Sequence, residues 1–514
     1  MRTWIVALAA LVVGGCSVGP DYQRPETEAP TAWQYADSSF MVDSSMVTAA
    51  DTSWWEGFGD TVLTSLVETS LQSNADVRIA AARVEQYMGL YGVARSDFFP
   101  KIGASADASR GQIRLTPAGE EARPTINQFD VSVSAAWEID LWGKVRRATE
   151  AARADLLGAE EARRAVTVSV VGLVVDSYVQ LLALDKQLDV ARRTLASREK
   201  SLSLFQQRSS KGDVSELEIA QIESQYWIAR SRIPAFERAI VFQENALNVL
   251  LGRNPGPIPR GMVIDSLRMP RIPENLPSDL LEQRPDVRQA EEQLRAANAR
   301  IGVAKAQYFP SISLTGLFGT ASSDLSKLFT PSAQIWNIGG SILQPIFRWG
   351  EISGQVSAAE AVQRQILQEY VRSVQNAFAD AEDALVARSR TQEERDAVAM
   401  QVAALRSYER LSQMRYREGV TSYLEVLDAE RSLFDTELNY AQTQANLLQT
   451  VVSLYRAFGG GWTDWVAWKA ELPEDPVETR VEEELPEQER EQLERLQEER
   501  LEQQRADGDN PERN

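Results

Sequence analysis

The side chains able to do chemistry in this chain are few. Its 514 residues include no histidine and one cysteine, Cys16. Without imidazole the chain lacks the commonest general base and metal ligand, and it can assemble no Ser-His or Cys-His nucleophile. A single cysteine can form neither an internal disulfide nor a multi-cysteine metal site. Carboxylates remain. Glu218 and Glu425 each lie six residues beyond a turn glycine, Gly212 and Gly419. Asp428 follows Glu425 at i+3, so both acids point to one side of a helix. Repeated around a threefold axis, such acids become rings that attract cations, repel anions and raise one another's pKa. Unrepeated, they are an ordinary solvated helix face. No Gly-rich phosphate loop and no GxSxG elbow accompanies them, so an enzyme is not expected.

Cys16 has a different chemistry, set by what precedes it. Residues 1–15 start weakly basic at Arg2, run apolar from Trp4 to Val13 and end small at Gly14-Gly15. About ten apolar residues are too few to span a bilayer, and the pattern reads as a secretory signal peptide. Val13-Gly14-Gly15-Cys16 resembles a bacterial lipobox, which would make Cys16 the acylated, palmitate-bearing first residue of the mature protein. Ser17 follows, not the aspartate that typically retains such lipoproteins at the inner membrane, so the expected location is the Gram-negative outer membrane. A plain signal peptide that happens to end at a cysteine is the alternative. No cofactor beyond the covalent lipid, and no metal, is expected. The net charge of −20 excludes nucleic acid as a partner. From Glu471 to Asn514 there are 17 acidic and 6 basic residues, the composition of a flexible, solvated tail.

The elements that would position these groups come in duplicate. Asp76-Val77-Arg78 opens a stretch ending at Phe98-Phe99-Pro100, and Asp286-Val287-Arg288 opens one ending at Tyr308-Phe309-Pro310, an offset of 210 residues. Trp142 and Trp349, and likewise Gly212 and Gly419, are 207 apart. A structural unit used twice is implied. Each half holds two segments of period-2 alternation, at about 101–113 and 127–140, then about 311–320 and 333–347. Phe129, Val131, Val133, Ala135, Trp137 and Ile139 form the cleanest apolar row; Trp336, Ile338, Gly340, Ile342 and Ile346 form its counterpart. Aromatics at the segment ends fit an interfacial girdle. Four strands cannot close a barrel in lipid, where an open edge strands backbone polar groups, but three copies would supply twelve.

Between the strands, proline-free stretches at about 143–207 and 350–414 predict helices of roughly 100 Å, at 1.5 Å per residue. Returning helices are expected at about 215–251 and 422–458, and shorter ones at about 61–96 and 278–307. The division is a signal peptide at 1–15, a lipid-anchored segment at 16–60, repeats at 61–260 and 261–462, and a tail at 463–514. The expected fold class is a mixed α and β membrane protein: a trimeric 12-stranded barrel, four strands per protomer, continuous with a long α-helical barrel.

The chain resembles the TolC/OprM/NodT-like outer membrane factors, lipoprotein exit ducts of efflux systems. The resemblance is carried by Cys16-Ser17-Val18-Gly19-Pro20-Asp21-Tyr22, Trp54-Trp55 with Phe58, and Trp137 through Arg146. Arg284-Pro285-Asp286-Val287 and Phe458-Gly459-Gly460-Gly461-Trp462 complete it. It implies a homotrimer in outer membrane lipid whose periplasmic end docks a periplasmic adaptor, the membrane fusion protein. The adaptor would couple it to an inner-membrane transporter, commonly of the resistance-nodulation-division type. The adaptor-contacting tips would be Gly212, Asp213, Val214 and Ser215 with Gly419, Val420, Thr421 and Ser422. Glu218, Glu425 and Asp428 would form the aperture rings. Tyr416 matches an aromatic that helps latch the closed aperture, and Thr421 stands where some members carry an arginine that ties the latch.

A passive duct gated at this tip is the expected function. A duct for secreted polypeptides, as in type I secretion, would use the same tube. A periplasmic adaptor lipoprotein would need one helical hairpin and a lipoyl-like β domain. A carboxylate-dependent hydrolase would need a compact cleft with paired acids, and neither pattern is found.

Overall fold

The computed structural model describes residues 17–25, 50–112, 125–212, 214–270 and 284–459. The expected signal peptide, Cys16, Asp213 and the tail at 463–514 lie outside them. Among the described residues, seven α-helices, α1 (Thr61–Ser73), α2 (Ala75–Ser96), α3 (Lys144–Ser209), α4 (Glu216–Leu250), α5 (Pro285–Ala306), α6 (Glu351–Arg417) and α7 (Tyr423–Ala457), enclose four strands in the sequence. The strands are β1 (Lys101–Gln112), β2 (Thr125–Ile139), β3 (Ser311–Ser322) and β4 (Gln334–Leu343). They form one antiparallel meander in the order β1-β2-β3-β4. The fourth strand is shorter than the expected 333–347. Pro345 has no N–H to give the ladder, so pairing stops at Leu343 and Ile346 lies beyond the strand.

Each long helix starts from a glycine that turns the chain out of a strand. Gly143 and Gly350 hold φ of 78° and 86°, a left-handed backbone that a side chain would strain. The Asp140 carboxylate then caps α3, accepting from the N–H groups of Val145 at 3.0 Å and Arg146 at 2.9 Å. This explains part of the run from Trp137 to Arg146. The Arg284-Pro285-Asp286 motif has a comparable cause. Pro285 begins α5, while the buried Arg284 guanidinium donates to Asp286 at 2.8 Å, Asp380 at 2.9 Å and the Ala457 carbonyl at 2.9 Å. It thus holds α5, α6 and the end of α7 together.

By length and composition α3 could cross a membrane. Its apolar stretch is instead covered by protein: Val174, Val175, Tyr178, Val179 and Leu181 are buried with Trp54, Phe58, Leu63, Val451 and Val452 in one cluster. Trp54 stacks on Tyr455, ring centroids 4.8 Å apart.

Beside this core, Asp60 is a buried polar hub. Its carboxylate accepts from Val62 N at 2.9 Å, Tyr178 Oη at 2.9 Å and Met262 N at 2.8 Å. Asp60→Ala would leave these donors unpaired and uncap α1, so a loss of about 2–4 kcal/mol is expected. Thermal unfolding of the purified protein measures it; a midpoint equal to wild type would show that water replaces the carboxylate.

Candidate functional site

Two regions carry the surfaces that function requires. In the sheet, the strand register lines up apolar residues on one face. One row is Ile102, Ala135, Gly316 and Ile338; another is Ala104, Val133, Phe318 and Trp336. The opposite face carries Asp107 facing Asp130, Ser105 facing Ser132, and Ser313 facing Ser341, with Ile126, Leu317, Ile335 and Leu343 among its apolar exceptions. The serine hydroxyls pair at 3.2 Å and 2.8 Å. Both outer edges, of β1 and β4, are unpaired among the described residues. The Trp137 indole N–H donates to the Phe98 carbonyl at 2.9 Å and that of Trp142 to Pro310 at 2.8 Å. Polar indole edges are thereby anchored where strands meet helices, as expected of residues at a water–lipid boundary.

Residues 17–25 reach this same boundary. Val18 N donates to the Trp142 carbonyl at 3.0 Å, and a Cβ on Gly143 would lie 2.8 Å from Ser17 Cβ. Farther along, Asn298 donates to the Pro20 carbonyl at 2.9 Å and Tyr22 to Glu291 at 3.2 Å. The residue after Cys16 is therefore fixed at the strand–helix junction.

The second region is the pair of helix turns. Gly212 and Gly419 hold φ of 85° and 72°; Val420 N donates to the Arg415 carbonyl at 2.9 Å, closing the end of α6. Val420 is exposed, Val214 is half-buried and packs inward, and Ser215 and Ser422 precede α4 and α7. The acids separate into two kinds. Glu218 completes a capping box: its carboxylate accepts from Ser215 N and Oγ, both at 3.0 Å, and its own N–H donates to Ser215 Oγ at 3.3 Å. Glu425 and Asp428 come together along a groove of about 730 Å³ between α4 and α7, which Glu218 does not line. Thr421 Oγ1 donates to Glu425. Arg415 lies 3.9 Å from Glu425, and Arg431 donates to Asp428 at 2.9 Å. These exposed cations offset part of the acidic field.

Tyr416 packs against Phe205 (centroids 6.1 Å apart) and Tyr423 (5.0 Å), in a cluster with Ile222, Val426 and Leu427. Phe205 and Tyr423 are absent from the sequence-based expectation. A signal for them exists: at the 207-residue offset Phe205 matches Ser412, Tyr416 matches Ser209 and Tyr423 matches Glu216. The cluster is built where the two halves differ.

Away from the tips, Asp176 on α3 is mostly buried and its Oδ1 has no hydrogen-bond partner among the described residues. Burial pushes its carboxyl up to about 7, against the pull of Arg456. The ordinary aspartate value is about 3.9, so the native state holds this proton more tightly than the unfolded chain. The stability it supports is complete below about pH 4 and is lost as pH rises to about 7. Asp176→Asn should therefore stabilise the protein by about 1–3 kcal/mol near pH 8 and change little near pH 4. Unfolding midpoints at the two pH values decide it; equal gains at both would reject the titration.

The outer membrane efflux protein family model matches this chain twice, over residues 66–253 and 276–460. From 66 to 276 and from 253 to 460 the offsets are 210 and 207, the intervals seen within the sequence. A probable efflux pump outer membrane protein of Pseudomonas putida, TtgC, is 34% identical over 461 residues, covering 89% of this chain and 95% of its own. The cation efflux system protein CusC of Escherichia coli is 36% identical over 465 residues, covering 88% and 97%. Among solved structures, the outer-membrane channel OprN superposes with a TM-score of 0.79 at 31% identity, over 87% of this chain and 100% of that one. The open-state MtrE outer membrane channel of Neisseria gonorrhoeae gives 0.77 at 30%, over 87% and 99%.

Proposed function

The chain belongs to the outer membrane efflux protein family, and from that premise we propose that it is the exit duct of a tripartite efflux system, passively conducting small molecules out of the cell. One observation carries the reading. A four-stranded sheet with one apolar face and two open edges is incomplete in a bilayer, and joining β4 of one copy to β1 of the next in a trimer completes it. Twelve strands would then enclose the serine and aspartate face, and the long helices would continue the wall into the periplasm.

Lipidation of Cys16 fits the position of Ser17, which would set acyl chains beside the Trp142 end of the barrel. The exposed turns at Gly212 and Gly419, with the groove lined by Glu425 and Asp428, suit a periplasmic adaptor that links the duct to an inner-membrane transporter. The duct itself catalyses nothing; its working parts are a wall and a gate. The test is reconstitution of the purified protein into planar bilayers. Threefold particles with discrete conductance are expected, and a monomer without conductance would overturn the proposal.

A further inference from the structure

Above the tip cluster, four helices converge on buried polar groups that an apolar wall does not require. Arg198 of α3 is 2% exposed within a single protomer. Its Nη1 donates to the Gln225 carbonyl of α4 at 2.6 Å, and its guanidinium carbon lies 5.0 Å from the centre of the Phe434 ring of α7. Its Nε and Nη2 are buried and have no hydrogen-bond partner among the described residues; neither has Gln225 Oε1. These atoms expose almost no surface in the protomer, so a second copy cannot supply partners without the helices moving. Nearby on α7, the Glu430 carboxyl is also largely buried. It takes a hydrogen bond from the neutral Gln413 amide of α6, and it feels the charges of Arg198 from α3 and Glu409 from α6, with Tyr423 on its own helix nearby. Arg198 is attracted to Glu430 and Asp435, yet among the described residues its hydrogen bond goes to Gln225 alone.

We propose that Arg198 is a positioning residue of the gate, holding α3 to α4 in the arrangement described and closing on the Glu430 carboxylate when the α6–α7 pair shifts past α3. The argument rests on two costs that one movement relieves. A buried guanidinium with unpaired N–H groups is unfavourable, and so is a buried carboxylate. A displacement that joins them satisfies both, giving the tip two discrete packings instead of a continuous range. Burial raises the Glu430 pKa, Arg198 opposes that and Glu409 adds to it. Acid therefore removes the charge that Arg198 would meet.

This inference rests on the gated-duct reading, and the experiment separates the two. Wild-type conductance tests the duct; differences among variants test Arg198. Purified wild type, Arg198→Met, Glu430→Gln and the double variant are compared in planar bilayers at about pH 8 and about pH 4, the latter below the ordinary glutamate range. Each single variant should lower the open probability about tenfold at the higher pH, equivalent to about 1.4 kcal/mol. The double variant should fall no further, because both changes remove one interaction. Acid should reproduce the loss in wild type and leave Glu430→Gln unchanged. If Arg198→Met fails to assemble, the isosteric Glu430→Gln at two pH values remains decisive. Wild-type open probability in the variants, or losses that multiply to about a hundredfold in the double, would overturn the proposal.

Discussion

Ile338→Arg is expected to abolish assembly in the outer membrane, whereas Asn337→Arg, one residue away, is expected to assemble and alter conductance. Ile338 lies near the middle of β4, is 82% exposed in the protomer and faces Gly316 on the apolar side of the sheet. Asn337 faces Leu317 on the opposite side. Successive strand residues point to opposite faces, so neighbouring positions sample lipid and lumen. Arginine at mid-membrane depth costs about 2–4 kcal/mol, or about 6–12 for three copies in a trimer. The lumen position carries no such cost, since water reaches it. Fractionation of outer membranes and the trimer band on a gel measure the result. Assembly of Ile338→Arg together with failure of Asn337→Arg would mean that the faces are assigned the wrong way round.

Much of this architecture is legible in the sequence because its signals are periodic. Phe129 through Ile139 alternate with Ala136 alone out of phase, and alternation every second residue specifies both the strand and its two faces. The long helices follow from extended runs free of proline, and the turns from Gly212 and Gly419. Legibility fails where a side chain's role depends on one distant partner. Nothing near Arg198 in the chain points to Gln225 or Phe434, and nothing near Asp60 points to Met262. Glu218 is a different case. Ser215-Glu216-Leu217-Glu218 is a capping-box sequence, a local signal that competes with the ring reading, and the observed hydrogen bonds engage the carboxylate as a cap. The early end of β4 was also written in the chain, at Pro345.

Phe205→Ala is expected to leave the duct folded but leaking. Phe205 is 2% exposed and lies 4.3 Å from Tyr423 and 6.1 Å from Tyr416, centroid to centroid, so it joins the end of α3 to both sides of the α6–α7 turn. Removing a buried aromatic ring costs about 3–5 kcal/mol, and the loss would recur at each of three tips. The cluster of Val174, Tyr178 and Trp54 is separate from the tip cluster, so the main core keeps its packing. Local opening should therefore become easier while global unfolding changes much less. The readouts are resting conductance of the purified protein and entry of a bulky hydrophilic dye into cells lacking the pump, with thermal unfolding as the control. Both permeability measures should rise severalfold, since even about 1.4 kcal/mol shifts a two-state equilibrium tenfold. Phe205→Leu, which keeps most of the buried volume, should stay near wild type. A lower unfolding midpoint with unchanged conductance would show that the aromatic cluster supports the fold without holding the aperture.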